Sequence, residues 1–239
     1  MALSPVGSDA KLPDAKTYRV RAVDPDNEQD TETAASLHAR LFREIGPIAN
    51  LGERLLARYC YGHLIRTGMM KAVLFEVGGQ PVGLAAFTGD SSALHHAALR
   101  RHLPFVVRET MRALRERPSL LLRLPAAATL IWERRRERLP KSAGSFAEVT
   151  AFGILPRFRS HKFVQLTGLH VPDILLDFVL DDLRAQGFLQ VRGVVLVSNR
   201  PAVSFFTRRV SRVDSFPSAV RPSIQVWLDL TLDADHRPR

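Results

Sequence analysis

Between Glu148 and Phe206 the sequence carries side chains whose types and spacing suit chemistry on an anionic ligand. Arg157, Arg159 and Lys162 precede Thr167-Gly168-Leu169-His170, which opens a helix from Val171 with Pro172 in its first turn. A glycine-bearing turn feeding a helix N-terminus aims unpaired N–H groups and the positive end of the helix dipole at one point. Cationic side chains add to that field, and the combination suits a pyrophosphate. Proline is tolerated in the first turn, so Gly168, Leu169, His170 and Val171 are the preferred amide donors. Ser160 to Phe163 are the alternative, and Thr-Gly taken alone is only a turn. Upstream, Glu148 lies in an apolar stretch, where it is either an ordinary exposed strand residue or a partly buried carboxylate able to take a proton near neutral pH. Gly153 permits a bulge that would free backbone N–H groups of Phe152 to Leu155. His95, His96 and His102 have no nearby thiolate or carboxylate in sequence, so no metal site is expected. There is no Walker-type loop, nucleophile elbow or zinc-finger spacing, and the lone Cys60 reads as a small core residue.

The elements that must position these residues follow from periodicity. Tyr18 to Val23 alternates as a strand and ends at Asp24-Pro25. Thr31–Glu44 and Leu51–Ile65 carry apolar residues at helical spacing. Lys71–Val77, Gly78-Gly79 and Gln80–Phe87 read as strand, two-glycine turn and strand. After a helical, strand-free segment come a strand over Phe146–Leu155, a polar loop to His170, a helix over Val171–Ala185 with Gly187 at C′, a strand over Val191–Val197, a helix over Arg200–Arg209 and a strand over Ser223–Leu232.

Glu148-Val-Thr-Ala-Phe-Gly153-Ile-Leu-Pro156-Arg-Phe-Arg159, then Thr167-Gly168-Leu-His170, then Ser198-Asn199-Arg-Pro-Ala202-Val-Ser-Phe205-Phe206, resembles the GNAT N-acetyltransferase superfamily. The resemblance covers Ser145 to Arg209 and implies an α/β (α+β) fold: a mixed, largely antiparallel sheet of six or seven strands flanked by helices, with a helical insertion between the third and fourth strands. It implies acetyl-CoA as co-substrate, without metal, and acetyl transfer to a primary amine by direct attack, with Glu148 as general base. By the same resemblance Phe152, Gly153 and Ile154 face the thioester and pantetheine arm, and their amides stabilise the charge that builds on the carbonyl oxygen. Arg159, Gly168, Leu169, His170 and Val171 hold the pyrophosphate, and Asn199, Ala202 and Phe206 line the pantetheine and thiol. Two departures stand out. The stretch Arg159 to Gly168 is longer than the family's compact glycine-rich loop, and Phe206 replaces the tyrosine that in many members protonates the leaving thiolate; phenylalanine has no proton to give. A longer acyl-CoA or an acyl carrier protein as donor, and a catalytically idle GNAT-like module that binds CoA or a partner, are the alternatives.

The remaining signal is charge. Thirty-four Lys and Arg against 24 Asp and Glu give +10, which favours anionic partners. Residues 93–141 hold 12 Lys and Arg against four Glu, a net of +8. In Leu103 to Arg117 the apolar Leu103, Val107, Met111 and Leu114 fall on one stripe at about 100° per residue, and Arg101, Arg108, Arg112 and Arg115 fall opposite. Leu120 to Trp132 adds a second apolar run before Glu133-Arg-Arg-Arg-Glu-Arg138. The plain reading is two helices packed on the domain or on a second subunit, giving a homodimer. The sharper one is an arm for an acidic or lipid-linked amine acceptor, an acyl carrier protein or an anionic membrane surface. Nucleic acid ranks last, for want of exposed aromatics among the arginines. The expected organisation is a flexible leader (1–16), one acyltransferase domain (17–232) carrying the basic insertion (92–141), and a tail (233–239). A single cysteine fits a cytoplasmic protein, peripheral at most to the inner membrane face.

Overall fold

The computed structural model describes residues 17–43, 52–91, 94, 102–116, 118, 146–216 and 222–231. The expected leader and tail, and most of the insertion including Leu120 to Trp132, lie outside the described residues.

Among the described residues seven strands form one sheet: β1 Tyr18–Ala22, β2 Lys71–Val77, β3 Gln80–Thr88, β4 Phe146–Ile154, β5 Gln190–Leu196, β6 Arg212–Phe216 and β7 Ser223–Asp229. Their spatial order is β1-β2-β3-β4-β5-β7-β6. Only β4 and β5 pair parallel; every other neighbouring pair is antiparallel. The mixed, largely antiparallel sheet expected from the sequence is therefore present. Gly78 and Gly79 both take positive φ, 55° and 77°, which the two-residue turn between β2 and β3 requires.

Alternation divides the strands between two cores. Val73, Phe75, Val77, Phe87, Ala147 and Val191 face α5, Val171–Ala185, and meet its Leu175, Leu176, Val179, Leu180 and Leu183. Ala72, Leu74, Leu84, Ala86 and Ala151 face the opposite side, where α1, Glu28–Phe42, lays Ala34, Ala35 and Leu37 on the sheet. Asn27 caps α1 by accepting from the amides of Gln29 (3.0 Å) and Asp30 (3.4 Å). Beside it stands α2, an α-helical turn over Glu53–Leu55 that continues as a π-helix over Leu56–Leu64. The helix α3, Leu103–Glu116, lies between β3 and β4 in sequence, as an insertion there requires. Two small helices, α4, His161–Thr167, and α6, Arg200–Thr207, follow β4 and β5 in sequence.

Two expectations are corrected. The stretch from Pro156 to His170 is not a polar loop: it is a 3-10 turn, Pro156–Arg159, followed by α4, which Ser160 caps through the Phe163 amide (3.2 Å) and Gly168 ends in the left-handed conformation. The strand β6 has no counterpart among the expected elements, because its residues are mostly exposed and polar. No single helix among the described residues is long and apolar enough to cross a membrane; α4 and α5 together pass on composition but are bent by 83°, and α5 spends its apolar side in the core.

Candidate active site at the parting of β4 and β5

The sheet opens where its two parallel strands meet. They pair from Phe146↔Gln190 to Val149↔Gly193 and no further, although β4 goes on pairing with β3 to Ile154 and β5 with β7 to Leu196. The cause lies in β4. On β3, Ala86 and Phe87 are consecutive, but opposite them stand Ala151 and Val149, so Thr150 is an extra residue. Its hydroxyl donates to the Ala86 carbonyl (3.1 Å), which holds the bulge against β3. A bulge bends its strand and raises the local twist, and the bent half of β4 leaves β5. The expected bulge at Gly153 is thus displaced to Thr150. Gly153 itself keeps regular register with Leu84; a Cβ there would lie 3.1 Å from Leu41 and 3.2 Å from Phe42, so glycine lets α1 approach closely without shifting these side chains.

Aromatic rings stand beside the opening. Phe152 of β4 stacks on Phe205 of α6 at 5.8 Å between centroids and meets Phe206 edge-on at 5.6 Å; Phe205 and Phe206 are 5.1 Å apart. Ala202 and Val203 pack on the same core, as Ile154 does. Asn199 is the N-cap of α6, its side-chain oxygen accepting from the Ala202 amide (3.4 Å). Phe152, Ile154, Asn199, Ala202 and Phe206 therefore come together on two neighbouring elements.

The cationic residues gather at the end of β4: Arg157, Arg159, His161 and Lys162 are all exposed there. Two of the four preferred pyrophosphate amides are already engaged. The Gly168 amide already donates to Val164 (2.7 Å) and that of Leu169 to the Thr167 hydroxyl (3.1 Å). Leu169 and Val171 bury their side chains in the core, whereas His170 is exposed. At the start of α5 the Asp173 carboxylate meets Arg209, and its other oxygen lies 3.7 Å from His170. A carboxylate thus already answers the positive end of this helix.

Glu148 is fully buried, as is its partner Arg192; both side chains are 1% exposed, and the guanidinium donates to the carboxylate. The two are directly opposite across β4 and β5, one rung before the strands part. Arg192 lies 5.4 Å from the Phe146 ring centre and 6.0 Å from that of Trp227. Glu148 is thus neither the exposed strand residue nor the partly buried lone carboxylate of the sequence reading. If it took a proton, the Arg192 guanidinium would lose a charged partner in the interior, which is costly. Sequence reasoning missed Arg192; a lone arginine in the apolar run Val191-Arg-Gly-Val-Val-Leu196 was the available signal.

On the α1 side, His38 and the Tyr61 hydroxyl are 2.6 Å apart, and burial pushes the imidazole down to about 4, so it is neutral at pH 7. His102, at the start of α3, pairs with His63 at 2.8 Å; His95 and His96 lie outside the described residues. Among the described residues no group of three or more His, Cys, Asp or Glu is arranged to hold a metal.

No protein-family model matches the sequence, and no curated protein matches it. Solved structures do match in fold. One from Desulfovibrio desulfuricans, assigned to the GNAT family of acetyltransferases, covers 90% of this chain and 99% of its own at 14% identity, with a TM-score of 0.51. The GNAT domain of PAT from S. lividans matches over 89% and 90% at 15% identity with a TM-score of 0.49. A GNAT family acetyltransferase from Elizabethkingia anophelis with acetyl-CoA bound matches over 89% and 97% at 6% identity with a TM-score of 0.43. The chain has the fold of the GNAT acetyltransferases.

Proposed function

We propose that the protein is an acyltransferase that moves an acetyl group from acetyl-CoA to a primary amine. The observation that carries this reading is the parting of β4 and β5 beyond Val149 and Gly193, beside the Thr150 bulge. An extended, thioester-bearing chain can lie along the half of β4 that has lost its neighbour, where backbone groups of Thr150 to Ile154 face no β5 partner. Phe152, Phe205 and Phe206 supply an apolar wall for such a chain. Arg157, Arg159 and Lys162, exposed at the open end, supply charge for a pyrophosphate. In the reaction the amine lone pair forms the C–N bond, the C–S bond breaks, and coenzyme A leaves as the thiolate while the amine's proton passes to base.

Glu148 is the carboxylate nearest the parting by register, which favours it as that base. Its ion pair with Arg192 favours the other route, in which the amine arrives neutral and the pair keeps the end of the opening rigid. A CoA-binding module without turnover is the second reading, and the lack of a hydroxyl at Phe206 favours it. Calorimetry of the full chain with acetyl-CoA, with and without high salt, tests the donor site. Turnover against amino sugars, amino acids, polyamines and peptide N-termini then tests the reaction: binding without any turnover selects the module, and no binding rejects both.

A further inference from the structure

The insertion helix α3 turns most of both its stripes outward, with Leu114 of the apolar one half-buried. It is held to α2 by a third side: the carboxylate of Glu109, 3% exposed, lies 3.9 Å from Arg54 and 3.6 Å from Arg58, and Phe105 faces the rings of Tyr59 (6.1 Å) and His63 (5.6 Å). The His63–His102 contact fastens its first turn. Turned this way, the helix leaves Leu103, Val107 and Met111 outside, exposed by 50%, 50% and 52%. At about 100° per residue these three span about 80° of the helix surface, and Arg115, Arg108 and Arg112, also exposed, occupy the adjoining sector and not the opposite side expected from the sequence; Arg108 lies 3.6 Å from Glu109 as well. A helix built only to complete the fold would turn Leu103, Val107 and Met111 toward α2 and leave its glutamate outside. Here the arrangement is inverted.

We propose that α3 docks the protein on an anionic bilayer, with Leu103, Val107 and Met111 entering the headgroup layer and Arg108, Arg112 and Arg115 meeting lipid phosphates. An apolar stripe flanked by arginines is the pattern of a helix lying in that interface. Charge complementarity selects this occupant over a second copy of the chain, which carries +10 and would set one arginine row against another. It is independent of whether the protein transfers acyl groups.

The test is co-sedimentation of the full chain with vesicles of phosphatidylcholine alone and of phosphatidylcholine mixed with phosphatidylglycerol. The expected result is binding to the mixed vesicles only, weakened by salt. Arg108→Gln/Arg112→Gln/Arg115→Gln should weaken it roughly a hundredfold, the scale set by about 1 kcal/mol per basic residue. Leu103→Ser/Val107→Ser/Met111→Ser, and the single Val107→Asp, should also release the protein without lowering its melting temperature. Equal partition onto both vesicles, or variants that bind as the parent does, overturns the proposal. So does a dimer in solution that the serine variant dissociates, since the stripe would then be covered by a second copy.

Discussion

Glu148 and Arg192 form a buried ion pair on the last rung but one of the β4–β5 pairing, with Arg192 beside the rings of Phe146 and Trp227. Removing one partner of such a pair strands a charge, at a cost of about 3–5 kcal/mol, whereas replacing both with groups of similar volume is nearly neutral. Glu148→Gln should therefore lower the melting temperature sharply, and Glu148→Gln/Arg192→Met should recover most of the loss. Chemistry is read separately, from the pH profile of kcat. A general base lost to glutamine lowers the rate about 10²–10⁴-fold with acetyl-CoA affinity intact. If the amine arrives neutral, the folded Glu148→Gln protein keeps the acid limb of the profile. Disappearance of that limb assigns the proton to Glu148.

The outline of this fold was readable where the cause of an element is local. The hairpin Val77-Gly-Gly-Gln80 follows from two positive-φ glycines, and α5 from its apolar spacing between Pro172 and Gly187. What escaped was set across strands. The bulge belongs to Thr150 because of the register of β3, which no residue near it announces, while Gly153, the obvious suspect, is explained by α1. The partner of Glu148 is 44 residues away in sequence and adjacent only through the parallel pairing. In α4 the signals were present, Ser160 before the helix and Gly168 after it, but seven residues give too short a period to outweigh a polar composition.

Phe206 offers a test of the leaving step. Its ring is buried against Phe152 and Phe205, the rings that wall the proposed thioester channel. Phe206→Tyr should raise turnover if protonation of the thiolate limits the rate, with little change in melting temperature. Unaltered kcat would show that solvent already serves as acid.

Gly168 carries φ of +70° at the end of α4, and a Cβ there would meet nothing within 4 Å. Substitution therefore acts through backbone strain and not through collision, and a β-branched residue should cost about 1–2 kcal/mol where asparagine is tolerated. Gly168→Val is expected to lower the melting temperature and to leave acetyl-CoA affinity near the parent's, since the Gly168 and Leu169 amides already have acceptors and the exposed cations lie at Arg157, Arg159 and Lys162. Gly168→Asn should spare both. A calorimetric affinity that falls with Gly168→Val but not with Gly168→Asn would place the pyrophosphate at this turn instead.

His38 gives the sign of one pH dependence. In the fold it is buried beside the Tyr61 hydroxyl and its pKa falls from 6.5 to about 4, because burial disfavours the imidazolium. The unfolded chain thus binds a proton at higher pH than the folded one does. Stability is present above pH 6.5 and is lost progressively as pH falls from 6.5 toward 4, with nothing further lost from this group below that. His38→Asn keeps a polar neighbour for Tyr61 but cannot titrate, so its melting temperature should be lower at neutral pH and flatter across that window. Denaturant titrations at a series of pH values measure the difference: parent and variant should converge on acidification toward pH 4, and parallel curves would mean that His38 titrates alike in both states.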